Sequence, residues 1–424
     1  MMVDIPISAA SDGVGDSGVG AAAVACPDCG AVQRIGVAGG SIDALCWRCG
    51  AALQRAAGRS TAASLACVAA GFLLLLAGNA LPLMRSHLLG ASFDAHAIDG
   101  AVAYWQDGWP LVAAFVALFA VVVPFVRSAM LMAVLGGLYL GRARLWHGVV
   151  FRYDGELRLW SMAGVYVLAG IVTYSRLAAE IEADVLTGGW CFIAGALLLL
   201  LGDLLLDRRL IWQAIRPDAD PAGPVPPHQL GCEACQLLVP ANLEGTRCPR
   251  CGAVLDRRKP DSWRRTAALT AAALVLYPAG VIIPMTRSVE PGGLMQRNVI
   301  DGISELFRHG FWYLGVLLFT VSVAIPVVKL LVLGWMLLRV KVPRAKGLVL
   351  RTKIYRLIRE INRWSFLDPF IVALTAPLMA YPGIADVHTG AGALPFALVV
   401  VLTMLASHCF DTRLMWDAAE KIHD

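Results

Sequence analysis

The chain has 424 residues, of which 58% are hydrophobic and only 16% are charged, and its mean hydropathy is +0.66. A water-soluble domain rarely has this composition, so the sequence predicts a polytopic, all-helical (all-α) membrane protein. The net charge of +5 is carried mainly by loops between apolar runs and gives no indication of a nucleic-acid partner.

The N-terminal region predicts a tail followed by a small metal module. Residues 1–24 are rich in Gly, Ala and Ser and lack the basic start of a cleaved signal, so we expect a disordered tail. Residues 25–55 contain two Cys-x-x-Cys pairs, and residues 231–256 contain two more. The eight cysteines are Cys26, Cys29, Cys46, Cys49, Cys232, Cys235, Cys248 and Cys251. Two such pairs complete a tetrahedral site, so each segment predicts a structural four-cysteine ribbon.

Zinc fits these modules best, because it is redox-inert and because the cytoplasm keeps thiols reduced. Iron in a rubredoxin-like site, dithiol redox chemistry and disulfides are the alternatives.

Eight apolar runs are about long enough to cross ~30 Å of hydrocarbon. They are residues 62–84, 110–138, 159–178, 190–206, 266–285, 311–338, 364–381 and 393–410. They predict four-helix transmembrane domains at 60–212 and 262–420, with a Pro-rich linker at 213–230.

The basic loops 139–158 and 339–363 place both termini, and the 207–264 segment, in the cytoplasm. Apolar residues at helical spacing in 345–363 are consistent with a helix on the anionic inner leaflet or with a solvated basic loop.

The sequence is internally duplicated. An offset of 202 relates Cys46 to Cys248, Pro82 to Pro284 and Pro124 to Pro326, and later in the chain the offset becomes 204. There "LWSM" at 159–162 matches "RWSF" at 363–366, and "LDRRLIW" at 206–212 matches "FDTRLMW" at 410–416. We therefore expect two repeats of parallel topology, each with one ribbon and four spans.

The two halves differ in their intramembrane charges. Lys329 lies in the apolar stretch "SVAIPVVKLLVLGW" and aligns with Arg127. An ammonium that remains charged there needs an anion, and Asp368 is the candidate, whereas its first-half counterpart is Gly164. The sequence thus predicts an ion pair in the second half and a lone Arg127 that could snorkel in the first.

Polar neighbours extend this predicted pair into a cluster. Ser322 precedes Lys329 by seven residues, Ser365 precedes Asp368 by three, and Thr403 lies in the last span. The predicted cluster is Lys329, Asp368, Ser322, Ser365 and Thr403. A transport role and a purely structural salt bridge both account for it. The sequence contains no nucleotide-binding loop, nucleophile elbow or zincin motif, so we do not expect an enzyme.

The duplicated four-cysteine module with four spans, the "IPVVK" segment, "WSFLDPF" and "FDTRLMW" together carry a family resemblance. Over about residues 25–420 the chain resembles the paraquat-inducible protein A family, most of all its lipophilic-envelope-spanning-tunnel protein A branch. The resemblance implies a Gram-negative inner-membrane protein with cytoplasmic zinc ribbons. It also implies a periplasmic tunnel of MCE domains as partner, with lipids as substrate. The resemblance further implies that the family's polar network in the second transmembrane unit corresponds here to the five cluster residues above.

The leading hypothesis is a component of a lipid transport system that loads or unloads the tunnel, with proton-coupled opening of a cavity beside Lys329 as its mechanism. The alternatives are a membrane scaffold or sensor, whose ribbons recruit cytoplasmic partners, and a redox carrier.

Overall fold

The structure is a computed structural model, which describes residues 21–36, 44–54, 60–88, 91–177, 182–216, 229–290, 293–342, 347–378 and 386–420. Residues 1–20 of the predicted tail and most of the 213–230 linker lie outside the described residues, whereas residues 21–24 belong to the first strand, Ala21–Ala25.

Helices dominate the fold. Those before the linker are α1 (Thr61–Ala80), α2 (Asp99–Gln106), α3 (Pro110–Ala117), α4 (Val123–Tyr139), α5 (Leu145–Leu157), α6 (Ala163–Leu177), α7 (Thr187–Leu205) and α8 (Arg208–Ile215). Those after it are α9 (Ser262–Ile282), α10 (Val299–Arg308), α11 (Trp312–Phe319), α12 (Ile325–Lys341), α13 (Leu348–Ile361), α14 (Leu367–Leu378), α15 (Ala393–Cys409) and α16 (Arg413–Glu420).

Short strands form the rest of the regular structure. They are β1 (Ala21–Ala25), β2 (Val32–Gly36), β3 (Ala44–Leu45), β4 (Ala52–Gln54), β5 (Met84–Leu88), β6 (Ala91–Ala95), β7 (Glu182–Val185), β8 (Gln229–Gly231), β9 (Leu238–Pro240), β10 (Thr286–Glu290), β11 (Gly293–Arg297) and β12 (Asp386–Thr389).

Five helical segments of the described chain are long and apolar enough to cross a membrane. They are α1, the continuous Pro110–Tyr139, α7, α9 and the continuous Trp312–Lys341. The number is six if α15 and α16, which bend by 46° at their junction, form one span. The predicted spans at 159–178 and 364–381 correspond to the shorter helices α6 and α14, of 15 and 12 residues.

The two longest segments are each widened by a π-helical turn. Leu118–Val122 joins α3 to α4, and Thr320–Ala324 joins α11 to α12. Pro124 and Pro326 follow these turns directly. A proline cannot donate to the carbonyl four residues earlier, and its ring crowds that carbonyl, so the backbone widens there. Ser322 therefore lies where the helix is least regular.

The first and last long helices of each half pack closely along one another. Gly78 of α1 lies against Phe192 of α7, and a Cβ at this glycine would be 2.8 Å from the Phe192 nitrogen. Gly280 of α9 lies against Phe396 of α15, and a Cβ at this glycine would be 2.9 Å from the Phe396 Cα. Only glycine allows backbones to approach this closely.

α14 forms much of the contact between the two halves, since it packs on α2 and α6. The Tyr104 hydroxyl of α2 donates to the Pro369 carbonyl at 3.1 Å. The Ser86 hydroxyl of β5 donates to the Leu378 carbonyl, at the last residue of α14, at 2.8 Å.

Two three-stranded antiparallel sheets, in the orders β6-β5-β7 and β11-β10-β12, lie at one end of the long helices. The two cysteine modules lie at the other end. We call these the sheet side and the ribbon side.

Candidate functional site

The cysteines form two buried tetrads, as the sequence predicts. In the first, the Sγ atoms of Cys26 and Cys49 are 3.5 Å apart and those of Cys29 and Cys46 are 3.6 Å apart. In the second, Cys232–Cys251 and Cys235–Cys248 have the same distances, 3.5 and 3.6 Å.

Each tetrad fits a metal ion better than disulfides. All four Sγ atoms of a tetrad lie within 4.8 Å of one another. A tetrahedral zinc with bonds of about 2.3 Å requires sulfur–sulfur distances of about 3.8 Å, whereas a disulfide requires about 2.05 Å. Both tetrads can therefore hold a metal such as zinc.

The ribbon of residues 21–54 rests on helices of the other half. Arg356 of α13 donates to the Cys49 carbonyl at 2.7 Å and pairs with Asp28 at 3.3 Å. The Thr412 hydroxyl donates to the Asp28 carbonyl at 2.7 Å, and Arg48 pairs with Glu420 of α16.

The ribbon of residues 229–256 shows the converse arrangement. Arg152 of α5 donates to the Cys251 carbonyl at 3.4 Å, and Arg216 donates to the Pro249 carbonyl at 2.5 Å. Arg152 and Arg356 are separated by the offset found in the sequence, 204 residues. Each ribbon thus docks on the half that it does not precede.

The basic stretch 345–363 is not simply a solvated loop in its described part. Its helix α13 buries Arg351, Thr352, Tyr355 and Ile358 against the protein. One face of α13 is therefore buried against the rest of the protein.

Lys329 is almost completely buried, with 1% of its surface exposed. Its Nζ donates to the Ser365 hydroxyl at 3.2 Å. No carboxylate of the described residues lies within 4.0 Å of this ammonium. The predicted Lys329–Asp368 ion pair is therefore not formed.

Ser365 and Asp368 lie in different helical segments, which pack against different neighbours. Ser365 belongs to a 3-10 turn, Asn362–Phe366, whereas Asp368 lies at the start of α14. Because α14 packs on α2 and α6, Asp368 is held in the interface between the halves, whereas Ser365 faces α12.

The other two cluster residues are buried but do not hydrogen-bond to Lys329. The Ser322 hydroxyl has no hydrogen-bond partner within the described part of the chain. The Thr403 hydroxyl donates to the Val400 carbonyl of its own helix at 3.0 Å. The structure thus brings Lys329 and Ser365 together directly, while Ser322, Thr403 and Asp368 lie on neighbouring turns and helices.

Arg127, which was expected to be alone, is at the centre of an ion-pair network. Its Nε donates to Asp154 at 3.1 Å, and its Nη2 donates to Asp203. Arg208 approaches the second oxygen of Asp154 at 2.8 Å. Arg127 is buried, so it does not snorkel, and a buried ion-pair network is found in the first half rather than at Lys329 in the second.

Sequence reasoning missed both acidic partners. Asp154 was assigned to the loop 139–158, most of which folds as α5, and Asp203 lies near the end of the fourth predicted span. An acidic residue inside an apolar run was the available signal, since such a residue usually faces a cation.

The offset of 204 shows how the halves differ chemically. The positions of Asp154, Arg158, Asp203 and Arg208 correspond to Ile358, Asn362, Ser407 and Thr412. The Asn362 amide donates to the Ser407 hydroxyl at 2.6 Å. Neutral groups thus replace the charged network, and Lys329 is left without the anions that Arg127 has.

The comparisons with known proteins agree with this architecture. The family described as Paraquat-inducible protein A matches residues 61–216 and 263–420. The chain is 26% identical to the intermembrane transport protein PqiA of Escherichia coli K12 over 386 residues, which covers 88% of this chain and 90% of the relative.

Two further relatives have similar coverage. Lipophilic envelope-spanning tunnel protein A of Escherichia coli K12 is 28% identical over 408 residues, covering 93% of this chain and 91% of the relative. A probable intermembrane transport protein of Haemophilus influenzae is 26% identical over 351 residues, covering 81% and 82%. No solved structure matches the chain.

Proposed function

Because the chain belongs to the paraquat-inducible protein A family, we propose that it is the inner-membrane component of an MCE-type intermembrane lipid transport system. It loads or unloads lipid at a periplasmic tunnel of MCE domains. The names of its relatives, an intermembrane transport protein and an envelope-spanning tunnel protein, support this assignment.

In this proposal the chain crosses the membrane eight times, as two four-helix repeats at 60–212 and 262–420, with both termini and both zinc ribbons in the cytoplasm. The two short helices α6 and α14 are the seventh and eighth spans, in addition to the five long segments and α15. α14 and its preceding 3-10 turn form one continuous segment, Asn362–Leu378, which covers about 26 Å at roughly 1.5 Å per residue. α14 is also buried along most of its length, so protein rather than lipid surrounds it.

The observation that carries the mechanism is the contrast between two buried cations. Arg127 has two carboxylate partners, whereas Lys329 contacts one neutral hydroxyl among the described residues. Desolvating an ion costs several kcal/mol, and a single hydroxyl offsets only part of this. We assign Lys329 as the group that gains and loses a proton during transport, and the Arg127 network as a fixed brace.

Ser322 and Ser365 give Lys329 two alternative environments. Ser365 accepts the ammonium hydrogen bond, and the buried Ser322 hydroxyl lies two turns earlier in the irregular π segment. A change in the protonation of Lys329 therefore alters the packing of α12 against the 3-10 turn, which opens a cavity between them. Asp368 of α14 and Thr403 of α15 complete the proposed transport cluster.

Lipid transfer in proteoliposomes tests this function. We expect transfer from wild-type protein to a purified MCE tunnel to accelerate when a pH gradient is imposed. Lys329→Met should abolish transfer, and Ser365→Ala should weaken it. Lys353→Met is the matched control, because Lys353 is an exposed lysine of α13. Transfer by Lys329→Met at the wild-type rate, with normal protein levels, would show the proposal to be wrong.

A scaffold or sensor role is the second candidate, and Trp47 favours it. This residue lies between two metal-ligating cysteines and has 75% of its surface exposed. Exposed tryptophans are frequent anchors of protein interfaces. If recruitment is the function, Trp47→Ala should abolish capture of a cytoplasmic partner while Lys329→Met has no effect.

A further inference from the structure

A polar cavity of about 240 Å³ lies on the ribbon side, between the two ribbons and the ends of α7 and α8. Apart from the two ribbons, its lining comes from the first half and does not include Lys329, so a ligand bound there is independent of the proposed transport mechanism. Its polar lining includes Arg158, Arg208, Arg209, Arg250, Gln213 and Gln236.

The lining has four arginines and two carboxylates, those of Asp203 and Asp207. Both carboxylates already have partners. Asp203 pairs with Arg127, and Asp207 caps α8 by accepting from two backbone N–H groups. Cys235 also lines the cavity, and a divalent zinc ion held by four thiolates carries a net negative charge that offsets the remaining arginines. A ligand there is therefore recognised by the directed hydrogen bonds of individual side chains rather than by an excess of positive charge.

Arg158 is the arginine best placed for a ligand. It follows α5 and makes no ion pair within 4.0 Å among the residues that the structure describes. The positions 204 residues after Arg158 and Arg208 hold Asn362 and Thr412, so the second half has no such charge there.

Gln236 gives a second, independent observation. The residue that follows the last cysteine of a knuckle adopts positive φ in all four knuckles, and three of these residues are glycines, Gly30, Gly50 and Gly252, at +76°, +68° and +68°. Gln236 has φ of +59°, a left-handed conformation that is strained for a residue with a side chain. Gln236 lines the cavity. Such an outlier points to a role for the side chain.

We infer that this cavity binds a phosphate group, either the headgroup of a phospholipid at the ribbon-side membrane surface or free phosphate. Guanidinium groups bind phosphate oxygens with paired hydrogen bonds, and the Gln236 amide adds a neutral donor. The volume is below the roughly 300–1,000 Å³ of sites for larger organic ligands, so a headgroup fits but acyl chains do not. The cavity lies at the membrane boundary, because its lining residue Asp203 is near the end of the long apolar helix α7.

Thermal unfolding of the full-length, metal-loaded and delipidated protein in maltoside micelles tests this site. One arm titrates inorganic phosphate, and the other titrates phosphatidylglycerol, with diacylglycerol as the lipid that lacks phosphate. A ligand of the folded state raises the midpoint with concentration, which gives its apparent affinity. The arm that raises the midpoint identifies the source of the phosphate.

Two variants and one control make the result specific. We expect Arg158→Gln and Gln236→Gly each to weaken the affinity about ten-fold or more, since a hydrogen bond to a charged group has that effect. Gln236→Gly also relieves backbone strain, so its loss of binding cannot come from unfolding.

Arg142→Gln, at an exposed arginine away from the cavity, should bind as wild type does. The inference is wrong if neither ligand raises the midpoint of the wild type. It is also wrong if Arg142→Gln weakens binding as much as the two cavity variants do.

Discussion

The contrast between Arg127 and Lys329 predicts opposite effects of the same substitution. Arg127→Met and Lys329→Met each replace a long buried cation by a neutral side chain, at positions 202 residues apart. In the first case two carboxylates remain behind, with 0% and 13% of the Asp154 and Asp203 side chains exposed. In the second case one hydroxyl, that of Ser365, loses its donor.

The magnitudes depend on the groups that are left unpaired. Removing one partner of a buried ion pair costs about 3–5 kcal/mol, because it leaves an uncompensated charge. Asp154 keeps Arg208 at 2.8 Å, so we expect a loss of about 3 kcal/mol for Arg127→Met. Losing the donor to Ser365 costs about 1–3 kcal/mol, but the several kcal/mol needed to desolvate an ammonium also disappears. Lys329→Met should therefore be as stable as wild type or more stable.

Reversible unfolding in mixed micelles at neutral pH, followed by far-UV circular dichroism, measures both changes. Lys353→Met, at an exposed lysine, gives the baseline for losing a charge. The reasoning is refuted if Lys329→Met unfolds as readily as Arg127→Met does, because Lys329 would then have an anionic partner of comparable strength.

Three further predictions concern packing, metal and pH. Gly280→Ala should lower stability by about 1–3 kcal/mol, since the new Cβ would lie 2.9 Å from the α15 backbone, whereas Gly334→Ala, with open space around it, should not. Elemental analysis should find two metal ions per chain, and Cys46→Ser and Cys248→Ser should each remove one; full loading of either variant would contradict the assignment of the tetrads as metal sites. The Arg85 hydrogen bond holds the pKa of Asp94 below its usual value, so the pair stabilises the fold above the unfolded pKa of about 4. Asp94→Asn should therefore reduce stability by less than about 1 kcal/mol at pH 7, and the difference should vanish as the pH falls through the lowered pKa; a difference that persists in acid would exclude the ion pair as its cause.

The sequence was sufficient for features that depend on local spacing. The cysteine tetrads follow from four Cys-x-x-Cys pairs, because a knuckle is a local structure that needs no information about the rest of the fold. The long apolar helices follow from composition, since lipid leaves the backbone no other way to satisfy its polar groups. Family membership followed from the duplicated motifs.

Only the tertiary structure decided which polar groups meet. Residue spacing places Ser365 and Asp368 near each other along the chain, but Ser365 contacts Lys329 of α12, whereas Asp368 belongs to α14, which packs on α2 and α6. Arg127 contacts its acids on α5 and α7, two helices that sequence distance does not connect to it.

The crossed docking of the ribbons has the same origin. The surface on which each ribbon docks depends on where whole helices lie in the fold. The sequence does not distinguish Arg152 and Arg356, which contact the ribbons, from the other arginines of their basic loops. Local periodicity determines which face of a helix is polar, but the rotation and packing of the other helices determine what that face contacts.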